Sequence, residues 1–293
     1  MELHQLRYVL AVAETGRFSR AAARCGVAQP SLSQQVQKLE RELGQPLFDR
    51  LSGGAVLTEA GQRLLGHARA ILAAADAARQ EVHEVKGEVA GRLSLGVIPT
   101  IAPYLIPPVL KRFMRAHAGV EPALHEHVTD RLIEQLASGA IDLAVASLPL
   151  DHPLFHVEAL FTEPLLLVLP SRHRLAERPA VGWDELAEER FLILHEMHCL
   201  TGQTLGFCRR QGAELNVVMR GEQLTTILHM VTLGLGISLV PKMVAGADRS
   251  ARRVYRPLRG ESPQRTIAVA WHLSRYRTNA SRAFVEALKE SEK

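Results

Sequence analysis

Several features that mark membrane and secreted proteins are scarce in this sequence. No apolar run reaches the roughly 18 residues that a membrane-spanning helix needs. The first residues, MELHQLR, lack the basic and apolar regions of a signal peptide. The chain has only three cysteines, and an odd number argues against a disulfide framework. We therefore expect a cytoplasmic protein with free thiols and no membrane association.

The remaining composition is that of a globular protein. Hydrophobic residues make up 47% and charged residues 23% of the 293 positions, without a low-complexity tract. This length allows two or three domains with substantial cores. A net charge of +4 is only weak support for a nucleic-acid partner, so the motifs have to decide.

Two of the cysteines, Cys199 and Cys208, lie nine positions apart in the segment 195–208. This spacing does not match the C-x-x-C of zinc or thioredoxin-like sites, and no metal or cofactor is expected. In a helix, the two sulfurs would lie on opposite faces, roughly 13 Å apart along the axis. A disulfide needs Cα atoms within about 7 Å. The pair is therefore either two ordinary core cysteines or a redox switch whose closure rebuilds the helix.

The first 58 residues read as short helices with a helix-turn-helix pattern. A small-residue helix ends at Gly26, and Pro30 stands ahead of a third helix predicted from Ser31 to Glu40. Serine, glutamine and lysine side chains of a recognition helix reach base edges and phosphates in the major groove. The candidate DNA-binding residues here are Gln29, Ser31, Ser33, Gln34, Gln35, Gln37 and Lys38. Periodicity alone leaves open a helical subdomain whose polar face is merely solvated.

The next segment favours the DNA-binding interpretation. After Leu43-Gly44 the pattern predicts a two-stranded wing with Arg50 near its start, and then a new helix capped by Thr58. Wings commonly place a basic residue on the phosphate backbone. Arg50 is therefore a candidate phosphate contact.

These motifs together resemble the winged helix-turn-helix of LysR-type transcriptional regulators. The resemblance is dense and ordered over about sixty residues. It rests on Ala21-Ala22-Ala23, Gln29-Pro30-Ser31-Leu32-Ser33, Leu39-Glu40, Leu43-Gly44, Leu47-Phe48-Asp49-Arg50 and Leu57-Thr58-Glu59-Ala60-Gly61. It implies a DNA-binding domain over residues 1–58.

A long helix is predicted over most of residues 59–90. The chain has no proline from Thr58 to Lys86, and Gly87 and Gly91 mark a helix end and a hinge. The length favours pairing with a second molecule over packing against the same domain. The apolar stripe consists of Leu64, Leu65, Ala68, Ile71, Leu72, Ala75, Val82 and Val85. The LysR resemblance implies that this helix is a dimer seam.

Residues 91–293 alternate between strand and helix patterns, which predicts a mainly parallel α/β fold. Two such halves would form a bilobed effector domain like the type II periplasmic binding proteins. The first subdomain would comprise residues 91–163 and 268–293, and the second residues 164–267. Ligands of these sheets bind at the carboxyl ends of strands. Thr100, Thr129 and His198-Cys199 all follow predicted strands.

Within the LysR family, this half resembles the hydrogen-peroxide sensors of the OxyR subfamily. The most specific matches are His198-Cys199-Leu200 and Gly206-Phe207-Cys208, and the others are Val97-Ile98-Pro99-Thr100, His125-Glu126, Thr129, Glu163-Pro164, Gln203, Gly212-Ala213, Gly236-Ile237 and Arg265-Thr266-Ile267. The resemblance implies that peroxide oxidises Cys199, which then forms a disulfide with Cys208.

The same resemblance assigns roles to residues around Cys199. Arg265 would supply a positive charge, and Thr100, Thr129 and His198 would hydrogen-bond the peroxide oxygens. A position at a helix N-terminus would favour the Cys199 anion. Cys25, in the small-residue helix, is expected to be a core residue.

The chain departs from the peroxide sensors at three positions. Met197 replaces a usual glycine, Gly202 a common acidic residue and Thr225 a usual glutamate. A bulky Met197 would narrow access of peroxide to the thiol.

The predicted function is a DNA-binding transcriptional regulator, not an enzyme, that senses peroxide through a Cys199–Cys208 switch. The alternative is a LysR-type regulator that binds a small organic effector between the lobes. Expected partners are a pseudo-palindromic duplex DNA, further copies of the chain in a dimer of dimers, and RNA polymerase.

Overall fold

The structure, a computed structural model, forms two compact units. It describes residues 1–51, 54–83, 88–195, 197–210 and 214–292. The first unit comprises residues 1–88, 137–140 and 274–278. The second comprises residues 89–136, 141–273 and 279–293. The domain limits proposed from the sequence stay predictions.

Three helices at the start of the chain form the predicted helix-turn-helix. They are α1 (Leu3–Thr15), α2 (Phe18–Cys25) and α3 (Gln29–Leu43). The first two end at Gly16 and Gly26, whose φ angles of 66° and 68° suit glycine because it has no Cβ. The helices enclose an N-terminal core that includes Leu6, Val9, Val12, Leu32, Val36 and Leu39, with Cys25 packed against it.

The third helix begins earlier than the sequence suggested. The prediction placed its start at Ser31, whereas α3 starts at Gln29 and takes Pro30 into its first turn. A proline fits there because first-turn N–H groups have no partner within the helix. The predicted start was therefore wrong.

The predicted wing and its following helix are confirmed. Strands β1 (Phe48–Leu51) and β2 (Gly54–Leu57) pair in antiparallel fashion. The long helix α4 (Glu59–His83) follows. The Thr58 hydroxyl accepts the backbone N–H of Gly61 at 3.1 Å, as expected of an N-cap.

Part of the apolar stripe of α4 is buried in the N-terminal core, and part is exposed to solvent. Val82 is 72% exposed. Val85 and the predicted end at Gly87 lie outside the described residues. Four stripe residues pack in the N-terminal core, namely Leu64, Ala68, Ile71 and Leu72. Part of the stripe thus stabilises the unit to which α4 belongs. Pairing of α4 between two molecules stays a prediction.

In the second unit, the first lobe contains the parallel sheet that strand–helix alternation predicts. Strand β3 (Gly91–Val97) lies between β4 (Val120–Glu126) and β5 (Leu143–Ser147), parallel to both. Helices α5 (Ala102–Ala116) and α6 (Thr129–Ser138) connect these strands. The carboxyl ends of β3 and β4 therefore lie side by side.

Two long strands run from the first lobe into the second. They are β6 (Phe155–Pro170) and β11 (Gln264–His272), which are antiparallel to each other. The sequence placed a strand start at Pro164, so the first half of β6 was missed. That half is only partly buried and therefore lacks an apolar run. The subdomain limits proposed after residues 163 and 267 fall inside these strands.

The second lobe surrounds the second half of β6. Its strands are β7 (Arg190–Leu194), β8 (Asn216–Gly221), β9 (Ser238–Pro241) and β10 (Arg253–Arg256). Its helices are α7 (Cys199–Arg210), α8 (Leu224–Thr232) and α9 (Lys242–Ala247). Helix α10 (Asn279–Lys289) returns to the first lobe, as predicted, where Phe284 stacks edge-on against Phe113.

Among the described residues, no helix is both long and apolar enough to cross a membrane.

Candidate functional site

The fold brings Cys199 together with residues that lie far away in the sequence. Thr100 follows β3, Thr129 opens α6, and Arg265 is near the start of β11. Cys199 follows β7 as the first residue of α7. Cys199, which follows a strand of a separate two-stranded sheet, thus meets side chains near the strand ends of the large sheet, where the sequence predicted a ligand site.

Cys199 is half-buried, and its thiol is free. Burial raises the pKa of this thiol, while the Thr129 hydroxyl, the Arg265 guanidinium and the backbone N–H of Leu200 lower it. The net shift of the Cys199 pKa is upward, because desolvation destabilises the thiolate more than these neighbours stabilise it. The expectation that the helix N-terminus favours the anion is therefore only partly met.

Arg265 is the cation of the site, and it is entirely buried. Its Nε donates to Glu163 Oε1 at 2.9 Å, and its Nη1 donates to Thr100 Oγ1 at 2.8 Å. Nη2 lies 2.8 Å from the same Glu163 oxygen. Burial lowers the pKa of the guanidinium, whereas Glu163 and Cys199 raise it. Glu163 and Thr100 together thus fix the orientation of Arg265.

Thr129 has unused hydrogen-bonding capacity. Its Oγ1 is buried and has no partner of full hydrogen-bond geometry among the described residues. It nevertheless lies close enough to the Cys199 thiol to lower its pKa. A buried hydroxyl without a partner is costly, so this atom favours a site for a small polar ligand.

His198 is buried beside Cys199 but is engaged elsewhere. Burial lowers the pKa of its imidazole, and a hydrogen bond to the backbone of Glu222 raises it. The net downward direction favours a neutral ring near pH 7. His198 therefore contributes no charge to the thiol.

Cys208 lies on the same continuous helix as Cys199. Its side chain is buried and free, and burial raises the pKa of its thiol to about 11. Nine helical residues separate the two thiols by roughly 13 Å along the axis. A disulfide between them requires α7 to come apart.

Two contacts at this site were missed by the sequence reasoning. Glu163 and Gln203 fall within the segments that carry the family resemblance, but neither was given a role. Glu163 pairs with Arg265, and Gln203 donates Nε2 to the Leu148 carbonyl at 2.6 Å. Only their place in those segments could have drawn attention to them. No group of three or more metal-ligating side chains occurs in the described parts of the chain.

The three residues at which this chain differs from the peroxide sensors, Met197, Gly202 and Thr225, lie at the surface. Met197 is 54% exposed. A Cβ at Gly202 would meet nothing within 4 Å. Thr225 is exposed on α8. Most of the Met197 side chain is therefore in solvent, which weakens the expectation that it narrows access to Cys199.

Five of the candidate DNA-binding residues of α3 are exposed and two are half-buried. The half-buried ones are Ser33, which accepts Arg50 Nη1 at 3.2 Å, and Gln35, which accepts Gln5 Nε2 at 3.2 Å. The exposed ones are Gln29, Ser31, Gln34, Gln37 and Lys38. Contact of all seven with DNA stays a prediction.

Arg50 links the wing to α3. Besides Ser33, its guanidinium lies 3.9 Å from Glu40 and 4.6 Å above the ring of Phe18. Glu40 also accepts the backbone N–H groups of Leu47 and Phe48. Arg50 therefore holds the wing against α3, in addition to any contact with phosphate.

Two family descriptions match this chain. A LysR substrate binding domain matches residues 86–293. A bacterial regulatory helix-turn-helix protein of the lysR family matches residues 3–62. The first alone spans more than half of the sequence.

Individual relatives agree with these families. The DNA-binding transcriptional dual regulator OxyR of Escherichia coli (strain K12) is 36% identical over 272 residues, covering 92% of this chain and 89% of the relative. A full-length OxyR from Pseudomonas aeruginosa with a cysteine-to-aspartate substitution matches with a TM-score of 0.81 and 31% identity, covering 99% of this chain and 98% of that one. A cysteine-to-serine mutant of Corynebacterium glutamicum OxyR, described as H2O2-bound, matches with a TM-score of 0.67 and 30% identity. The match covers 99% of this chain and 92% of that one. The chain belongs to the LysR family of bacterial transcriptional regulators and is not an enzyme.

Proposed function

We propose that this regulator senses hydrogen peroxide through Cys199 and signals by forming a Cys199–Cys208 disulfide. The observation that carries the proposal is the placement of one thiol beside a buried cation, Arg265, and the buried Thr129 hydroxyl, for which the described residues supply no partner of full hydrogen-bond geometry. Arg265 and Thr129 oppose the rise in the Cys199 pKa that burial causes, and the Thr129 hydroxyl can hydrogen-bond a small polar oxidant. The similarity to OxyR proteins, one of them described as H2O2-bound, supports the same function.

The chemistry requires only this chain and peroxide. The Cys199 thiolate attacks one peroxide oxygen, so that an S–O bond forms, the O–O bond breaks, and hydroxide leaves to take up a proton. Thr129 would donate to a peroxide oxygen, and Arg265 would stabilise the anionic sulfur. The Cys208 thiol then attacks the sulfenic sulfur and releases water. Peroxide is reduced to two water molecules, and two thiols become one disulfide.

Disulfide formation would transmit the signal because the structure of α7 opposes it. Both thiols lie on one helix, so the bond can close only when the helix unwinds. Unwinding removes the contact of Gln203 with Leu148, which joins α7 to the first lobe. Oxidation thus would convert a local bond into a rearrangement between lobes.

The output would be altered binding to DNA. We infer that α3, through Gln29, Ser31, Ser33, Gln34, Gln35, Gln37 and Lys38, enters the major groove and that Arg50 of the wing approaches the phosphates. A dimer of dimers, paired through α4, would bind a pseudo-palindromic duplex in the cytoplasm and engage RNA polymerase. The exposed Val82 on α4 supports pairing through that helix.

Peptide mapping under non-reducing conditions tests the switch. Reduced full-length protein is exposed to micromolar peroxide, blocked with maleimide and digested, and a Cys199–Cys208 peptide is expected. Cys208→Ser should instead accumulate a Cys199 sulfenic acid that dimedone traps, while Cys25→Ser should behave like the parent. No cross-linked peptide together with an unchanged DNA footprint would refute the proposal. A normal response of Cys199→Ser to an organic inducer would favour the alternative, a small effector bound between the lobes.

A further inference from the structure

We propose that Glu163 is a positioning residue for Cys199, which acts through Arg265 by fixing the guanidinium and cancelling part of its charge. This inference rests on the proposed function in that it concerns how readily Cys199 becomes the reactive thiolate. Glu163 and Arg265 face each other across the antiparallel pair β6 and β11. Their side chains are 6% and 0% exposed, so solvent scarcely screens the pair.

Both oxygens of the Glu163 carboxylate are held. Oε1 receives Arg265 Nε at 2.9 Å and lies 2.8 Å from Nη2. Oε2 accepts the backbone N–H of Met243 at 2.8 Å, at the start of α9. The Met243 sulfur lies 3.4 Å from Arg265 Nη2. Because both of its oxygens are hydrogen-bonded, the carboxylate cannot rotate freely, and it therefore fixes the position of the Arg265 guanidinium.

The same carboxylate competes with Cys199 for one cation. Among the described residues, the charged group that acts on the thiol is Arg265 from β11. Arg265 is in turn acted on by Glu163 from β6, by Cys199 and by Tyr104 from α5. His198, next in the chain, is directed to Glu222. When the thiol is protonated, Glu163 is the counter-ion that keeps the buried guanidinium charged. The Glu163 carboxylate therefore weakens the electrostatic stabilisation that Arg265 gives to the Cys199 thiolate, and the thiolate weakens that of the carboxylate.

Removing the charge of Glu163 separates its two roles. In Glu163→Gln the Cys199 thiolate becomes the main anion that acts on Arg265, so the thiol should ionise at lower pH. We expect its pKa to fall by at least about one unit, which is about tenfold more thiolate at neutral pH. Arg265→Gln should raise the pKa instead. The double variant should match Arg265→Gln, because Glu163 has no cation left to act through.

The test is the pH dependence of Cys199 alkylation by iodoacetamide, in full-length protein with Cys25→Ser and Cys208→Ser. Glu158→Gln is the matched control, since Glu158 lies on the same strand and pairs with Lys289 at the surface. It should leave the titration unchanged. A Glu163→Gln titration that coincides with the parent would overturn the inference, and so would a double variant that titrates like Glu163→Gln.

Folding is checked by circular dichroism, because an amide nitrogen cannot accept a hydrogen bond and one of the two contacts of Glu163 is lost. If Glu163→Gln does not fold, the Cys199 pKa of the double variant is compared with that of Arg265→Gln. The double variant has no buried charge in the pair. A difference of more than about half a unit between those two pKa values overturns the inference. No peroxide enters these titrations. A shifted pKa without a peroxide-induced disulfide would refute the proposed function alone, and a disulfide with an unshifted pKa would refute the role of Glu163 alone.

Discussion

Gln203, in the middle of α7, donates its amide Nε2 to the carbonyl oxygen of Leu148 at 2.6 Å and to Ser147 Oγ at 3.1 Å. These bonds join the helix that carries Cys199 and Cys208 to the end of β5 in the first lobe. The helix cannot unwind without breaking them. Gln203 thus would oppose the proposed Cys199–Cys208 disulfide.

Replacing Gln203 by alanine should release α7. Two hydrogen bonds are lost, and we expect the helix to become less stable by about 1 kcal/mol. Capture of oxidised Cys199 by Cys208 should then become about fivefold faster. Rapid quenching after one equivalent of peroxide measures that rate, and amide hydrogen exchange of α7 peptides measures the opening. Gln264→Ala, at an exposed position of β11, is the control. An unchanged or slower capture would contradict the role assigned to Gln203.

The exposed position of Met197 makes a specific prediction for peroxide access. Because 54% of the residue is in solvent, Met197→Ala should change the oxidation rate of Cys199 by less than about twofold. Thr129→Val removes the hydroxyl that faces the thiol and should slow oxidation by at least about tenfold. Stopped-flow kinetics of thiol loss compares the two variants. A large acceleration in Met197→Ala would show that its side chain restricts entry after all.

The ion pair between Asp248 and Arg253 should make stability depend on pH. The Arg253 guanidinium, with Tyr255, holds the pKa of the Asp248 carboxyl well below its usual range. The stabilisation is therefore complete above the unfolded pKa of about 3.9 and is lost as the pH falls below it. We expect Asp248→Asn to lower the free energy of unfolding by about 2 kcal/mol at pH 7, and by less at pH 3.

Urea midpoints at the two pH values measure this difference. Asp151→Asn, at an exposed position, should leave the midpoint unchanged at both. An equal loss for Asp248→Asn at pH 7 and pH 3 would show that the charge of the carboxylate is not what stabilises the lobe.

Arg50 and Ser33 should act as one unit in DNA binding. Arg50→Lys keeps the charge but loses the hydrogen bond to Ser33 and the planar contact with Phe18. We expect about tenfold weaker binding to an operator selected from random duplexes, corresponding to about 1.4 kcal/mol. The salt dependence of the affinity should not change, since no charge is removed. Fluorescence anisotropy over a salt series measures both quantities.

Ser33→Ala supplies the matched comparison. Combined with Arg50→Lys it should weaken binding less than the sum of the two single effects, because both changes break the same contact. Additive losses would show that the two residues contribute to DNA binding separately.

Local patterns in the sequence were sufficient for most elements. The helical spacing of Leu32, Val36 and Leu39 predicts α3, and the spacing places Cys199 and Cys208 on opposite faces of a helix. Glycines such as Gly16 end helices because they alone adopt positive φ without strain. These features depend on neighbours within a few residues, so they can be found along the chain.

Contacts between distant segments could not be found in this way. Arg265 and Glu163 are 102 positions apart, and only the register of β6 and β11 makes them partners. The direction of the Cys199 pKa depends on burial by both lobes as well as on charge, and a sequence pattern describes neither. The sequence by itself thus determined the family resemblance, the candidate residues around Cys199, and most of the helices and strands. Only the tertiary structure decided what each buried charge faces, because desolvation and ion pairing depend on distances in space.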